Sequence, residues 1–116
     1  MTISYRPASS DDISAILEIE NKTNQMPWTE AQFISSMEVG HFSLVLHEKN
    51  NIQGFAIYSP IVPESHLLNI AIHPTHQGKG LGDKLLQQVI FQNKTMGVQV
   101  ISLEVRISNL PAIKLY

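Results

Sequence analysis

The sequence predicts an α/β (α+β) protein in which a mixed, mostly antiparallel sheet is flanked by helices. Three observations carry this. Two β-rich runs, Phe42 to His47 and Gln53 to Tyr58, are separated by a short polar turn, which is a hairpin pattern. A nearly continuous apolar run, Leu67 to Ile72, leads through a glycine-rich turn into an amphipathic helix and then another β-rich run. Two capping-box patterns open helical segments near the N-terminus. The chain has 116 residues, which suits one domain, and residues 1–116 are read as a single unit.

In chain order, Ile3 and Tyr5 share a face before Arg6-Pro7 and make a short first strand. Ser9 with Asp12 opens a helix whose apolar face holds Ile13, Ile16 and Leu17. Pro27-Trp28 interrupts the chain. Thr29 with Gln32 opens a second helix through Phe33, Ile34 and Met37, which Gly40 ends. The hairpin follows, turning at Lys49-Asn50-Asn51. Pro60 and Pro63 bracket an expected loop, and the Leu67–Ile72 strand is stopped by His73-Pro74. The helix carrying Leu81, Leu85, Leu86, Val89 and Ile90 closes near Gly97. Val100 to Arg106 is the last strand, and Asn109 caps a final helix starting at Leu110-Pro111. The predicted order is βααβββαβα.

Composition narrows function. Eight Lys and Arg against ten Asp and Glu give a net charge of −2, which argues against nonspecific nucleic-acid binding or attachment to an acidic membrane. With 43% hydrophobic residues the chain can build a core, and no apolar run approaches a membrane span. The absence of cysteine excludes disulfides, thiolate metal sites and cysteine nucleophiles. No basic, apolar leader opens the chain, so a soluble cytoplasmic protein is expected.

The segment from Leu67 to Ile90 carries the chemistry. Amides at a helix N-terminus point outward together, and glycines remove the Cβ atoms that would hold an anion away. Gly78, Gly80 and Gly82 are two residues apart, which fits neither the dinucleotide fingerprint nor the mononucleotide P-loop. On the residues alone, two readings stand: an anion-binding loop, or a strand-to-helix corner. Lys79 is equally a phosphate partner or a solvated loop cation. Glu104 alternates away from Ile101, Leu103 and Val105, as a general base or as an ion-paired carboxylate. His73 and His76 flank a proline turn without a supporting ligand cluster and are read as surface histidines, with no metal expected. Trp28 is a groove residue or a core residue.

The run Gln77-x-x-Gly80-x-Gly82, after Asn69-Ile70-Ala71-Ile72-His73-Pro74, resembles the acyl-CoA-binding motif of the GNAT acetyltransferase superfamily. The segment Ser102-Leu103-Glu104-Val105-Arg106-x-x-Asn109-x-x-Ala112-Ile113-x-Leu115-Tyr116 resembles the RimI-type N-terminal acetyltransferases, as do Pro27-Trp28-Thr29 and Phe33. The resemblance implies the GNAT fold and acetyl-CoA as co-substrate. It assigns the phosphates to Gln77, Gly78, Lys79, Gly80, Leu81 and Gly82, and the pantetheine arm to Ile70, Ala71, Ile72 and Asn109. Glu104 is then the general base and Tyr116 the general acid, with Trp28 and Asn69 on the acceptor side. The implied reaction is direct attack by a protein α-amine, ordinarily of pKa about 7.7 to 8.0, on the thioester. The implied acceptor is the N-terminal alanine of a small-subunit ribosomal protein, with no direct nucleic-acid contact.

Members of that family continue through two further strands beyond the position of Tyr116, so the domain is expected to be C-terminally incomplete. Two other readings stay open: acetylation of another amine, such as a lysine, polyamine or small metabolite, and an inactive acyl-CoA-binding fragment.

Overall fold

The computed structural model describes residues 2–103 and 113–114. Its strands are β1 (Ser4–Pro7), β2 (Phe42–Glu48), β3 (Asn51–Ile61), β4 (Glu64–Ile72), β5 (Val100–Leu103) and β6 (Ile113–Lys114). The helices are α1 (Ile13–Thr23), α2 (Glu30–Glu38) and α3 (Leu81–Thr95). The six strands form one sheet in chain order. The pairs from β1 to β4 are antiparallel, the β4–β5 pair is parallel, and the β5–β6 pair is antiparallel. A parallel pair needs a crossover, and α3 supplies it.

Burial divides by sheet face. Leu44, Leu46, Ala56, Tyr58, Leu67 and Ile72 join Leu81, Leu85 and Val89 of α3 in one core. Val45, Phe55 and Ile57 join Ile16 and Ile19 of α1 and Phe33 of α2 in the other. Successive residues of β2 and β3 thus go to opposite faces, and both faces are covered by apolar partners, so Leu44, Val45 and Leu46 and Phe55 to Tyr58 are all buried.

The caps explain where the first helices begin. Asp12 accepts from the Ser9 backbone N–H at 2.8 Å and from the Arg6 guanidinium at 2.7 and 2.9 Å. At α2 the reciprocal box is complete, with Gln32 N–H donating to Thr29 Oγ1 at 3.2 Å and Thr29 N–H to Gln32 Oε1 at 2.7 Å.

Order through β5 follows the sequence expectation, and two local assignments differ. The expected loop between Pro60 and Pro63 shrinks to Val62-Pro63, because β3 runs to Ile61 and β4 starts at Glu64. Pro60 lies beyond Tyr58↔Phe42, the last pair with β2, so its missing donor is tolerated where one side has no neighbouring strand. The closing helix expected from Leu110 is not what the described residues there form. Ile113 and Lys114 pair with Ile101 and Val100 instead. A helix of a few residues is marginal without packing, whereas the free edge of β5 offers backbone partners at once.

One irregularity positions the site. Ile57 pairs with Asn69 but Tyr58 with Leu67, leaving Leu68 as an extra residue in β4. This bulge shifts the alternation. Leu67 faces the α3 core, Leu68 packs with the α1 core, and the Asn69 side chain also turns toward α1.

Candidate functional site

β4 ends at Ile72, a turn of 3-10 helix follows over Pro74–His76, and α3 starts after Gly80. The Gln77 side chain donates to the Ile72 carbonyl at 3.0 Å and ties the glycine loop to the end of β4. Gly78 has φ +82° and Gly80 has φ +78°, left-handed values that strain any residue with a Cβ. No heavy atom lies within 4 Å of where a Cβ would stand at either position, so the glycines are not there to relieve crowding inside the protein. The open side faces outward.

The first intrahelical bond of α3 runs from Lys84 N–H to the Gly80 carbonyl at 3.2 Å. The amides of Leu81, Gly82 and Asp83 therefore have no acceptor within the helix and are available to an anion. Beside them lies a cavity of about 480 Å³ lined by Leu67, Ile70, Ala71 and Ile72 of β4, by the loop and by Leu86 and Leu103. Its walls are predominantly aliphatic, with the amide-rich turn at one end. Among the described residues, β5 pairs with β4 only from Glu64 to Leu67, so of the β4 lining Leu67 is paired while Ile70, Ala71 and Ile72 lie beyond the paired segment.

The sequence-predicted residues divide. Ile70, Ala71, Ile72, Gln77, Gly78, Gly80, Leu81 and Gly82 line this cavity together. Lys79 is exposed on the loop and is absent from that lining. Asn69 points to the opposite face, where its amide donates to Glu20 Oε2 at 3.1 Å. Trp28 is partly buried, with its ring 5.0 Å from Phe33, which stacks edge-on to Phe55 at 5.7 Å. This aromatic row gives Trp28 a packing role. Glu104, Asn109 and Tyr116 lie outside the described residues.

His73 is more engaged than a surface histidine. Its Nε2 lies 2.9 Å from Glu18 Oε2, and its Nδ1 accepts from the Thr75 backbone at 3.1 Å, which places the ring proton on Nε2. That bond is the main reason the Glu18 carboxyl is held below its ordinary value. Partial burial, then Lys79 and His73, hold the His76 imidazole below its ordinary value.

Sequence reasoning missed Glu20. It is fully buried, and Oε2 accepts from Asn24 Nδ2, the Trp28 backbone and Asn69 Nδ2 at 3.0, 2.9 and 3.1 Å. Its position on the Ile13, Ile16 side of the helix was the available signal, since a carboxylate in an apolar stripe needs partners.

Residues 13–116 match the Acetyltransferase (GNAT) family. The [ribosomal protein bS18]-alanine N-acetyltransferase of Haemophilus influenzae is 43% identical over 98 residues, 84% of this chain and 67% of the relative. The protein of the same name from Escherichia coli K12 is 36% identical over 105 residues, 90% of this chain and 71% of the relative. The crystal structure of the Escherichia coli ribosomal-protein-S18-alanine N-acetyltransferase superposes with a TM-score of 0.84 at 31% identity, over 93% of this chain and 70% of that one. The structure of yncA from Salmonella typhimurium with its cofactor acetyl-CoA gives 0.70 at 26% identity, over 89% and 69%.

Proposed function

The chain belongs to the acetyltransferase (GNAT) family, and on that premise we propose that it transfers the acetyl group of acetyl-CoA to the N-terminal α-amine of a protein, the alanine of a small-subunit ribosomal protein. The observation that carries the cofactor half is the outward-facing amide turn at Gly78–Gly82, opening onto an aliphatic cavity along β4. An acyl-CoA combines an anionic pyrophosphate with a long, largely uncharged arm, and those two surfaces match that ligand end for end. The acceptor half is supported by the names of relatives that share more than a third of their aligned residues with this chain. The proposal places the reaction in the cytoplasm; among the described residues no helix is long and apolar enough to cross a membrane.

In this reading the loop from Gln77 to Gly82 holds the phosphates, through amides other than that of Gln77, which already donates to the Pro74 carbonyl at 3.3 Å. The backbone of Ile70 to Ile72 receives the arm, and Asn109 is assigned to the same arm. Lys79 adds long-range attraction from its exposed position. Acetyl-CoA supplies the activated acetyl group as a thioester. Glu104 takes the proton of the incoming ammonium, directly or through a water, and Tyr116 holds a proton for the departing sulfur. Trp28 and Asn69 belong to the acceptor side. The aliphatic walls exclude water from the thioester end, which limits hydrolysis.

The test is acetyl transfer, read by mass, from acetyl-CoA to a short peptide with a free N-terminal alanine, beside a lysine peptide whose α-amine is blocked. Acetylation of the free α-amine alone supports the proposal. Acetylation of lysine in preference to the α-amine overturns the acceptor assignment.

A further inference from the structure

We infer that Glu20 is a positioning residue: its buried carboxylate fixes the loop between α1 and α2 onto the bulge of β4 and so sets the affinity for the amine acceptor. The inference rests on the proposed function both for the identity of the acceptor and for placing Trp28 and Asn69 on its side, while the hydrogen bonds that join the loop to β4 stand separately. The Glu20 carboxylate is 0% exposed and is absent from the lining of the β4 cavity, so it acts through the groups it holds.

Those groups belong to three separate pieces of chain. Asn24 ends α1, with its N–H on the Glu20 carbonyl at 2.9 Å and its side-chain amide on Oε2. Trp28 lies at the far end of the loop, just before Thr29 caps α2. Asn69 follows the extra residue of the β4 bulge and immediately precedes Ile70, the first cavity-lining residue after it. One oxygen thus joins the helix end, the loop and the bulged strand. Within the loop the only other bond among the described residues is short-range, from Met26 N–H to Asn24 Oδ1 at 3.1 Å. Glu20 Oε1 has no hydrogen-bond partner among the described residues. Burial of a carboxyl with one oxygen unmatched is costly and serves no packing purpose that a leucine would not serve better. The core on this face is already closed by Ile16, Ile19 and Phe33. What the carboxylate adds is a fixed distance between the loop and the strand that carries the cavity.

The experiment compares Glu20→Gln, which keeps the shape and one acceptor oxygen, and Asn69→Ala, which removes one donor, with the unsubstituted chain. Two readouts are used: backbone amide hydrogen exchange at Trp28, and KM for each substrate. The acceptor is whichever amine the unsubstituted chain acetylates among an alanine-first peptide, a lysine peptide and spermidine. Exchange at Trp28 is expected to quicken about tenfold or more in Glu20→Gln, with the far-ultraviolet circular dichroism unchanged. KM for the acceptor is expected to rise about tenfold while KM for acetyl-CoA stays within twofold, and Asn69→Ala is expected to do the same more weakly. Unchanged exchange at Trp28 overturns the inference whatever the acceptor. An equal rise in both KM values overturns it too, since that pattern reports general loosening. Acetylation of lysine or spermidine but not of the alanine-first peptide sinks the proposed function and leaves this inference to be judged on the same two readouts.

Discussion

Replacing Gly80 by valine should weaken acetyl-CoA binding far more than a matched change elsewhere. Gly80 has φ +78° and no heavy atom within 4 Å of an added Cβ, so the folded protein loses only backbone conformational energy. A residue with a side chain in the left-handed region costs about 1–2 kcal/mol, somewhat more when β-branched. Gly40, at φ +89° after α2 and equally open, supplies the control, because Gly40→Val carries the same backbone cost away from the loop. Both variants should therefore lose about 2 kcal/mol of stability in urea unfolding. Only Gly80→Val places a branched side chain on the outward face of the amide turn. Holding a phosphate away from even one amide forfeits a charge-assisted hydrogen bond of about 1.5–3 kcal/mol, roughly a 10- to 150-fold rise in Kd. Calorimetric titration with acetyl-CoA reads this directly. A folded Gly80→Val protein that binds as tightly as Gly40→Val would refute the assignment of this turn to the phosphates.

Three further outcomes follow from the same structure. Asp12→Asn should cost about 1–2 kcal/mol near neutral pH, discounted because the Arg6 side chain is 42% exposed. The Arg6 guanidinium first, then the Ser9 N–H, hold the Asp12 carboxyl down at about 2, so its contribution is complete above the ordinary value near 4 and disappears as pH falls toward 2. Urea unfolding of both proteins across that window checks it, and a difference that persists at pH 2 contradicts the pairing. Leu85→Ala removes a side chain that is 0% exposed between α3 and the sheet and should cost about 2–5 kcal/mol by chemical denaturation. Glu104→Gln should slow acetyl transfer by about 100-fold or more while leaving acetyl-CoA affinity unchanged, and should remove the acidic limb of the pH–rate profile; an unaltered profile rejects the base.

Much of this was legible in the sequence because it is local. The Thr29/Gln32 box, the glycine stop at Gly40, and the strand, turn and helix from Leu67 to Ile90 are set by residues within a few positions of one another, where capping and periodicity act. The cavity beside the glycine loop was legible for the same reason: most of its lining falls in two short runs, Ile70 to Ile72 and Gln77 to Gly82, close together in the chain. The hairpin turn at Val62-Pro63 was harder to see. Two prolines argue for a loop until it is known that β2 stops at Phe42 and frees one side of β3.

Residue order alone determined the element types and their sequence as far as β5, and the family, since these depend on short-range spacing and on motifs that survive as letters. Tertiary structure alone decided which face each side chain of β4 takes, because the extra Leu68 resets a period of two that the sequence reads as unbroken. That reset turns Asn69 away from the cavity and onto Glu20, forty-nine positions earlier in the chain. Hydrogen bonds between such distant residues leave no periodic trace in the sequence. They exist only after two helices and a bulged strand have been packed against one another.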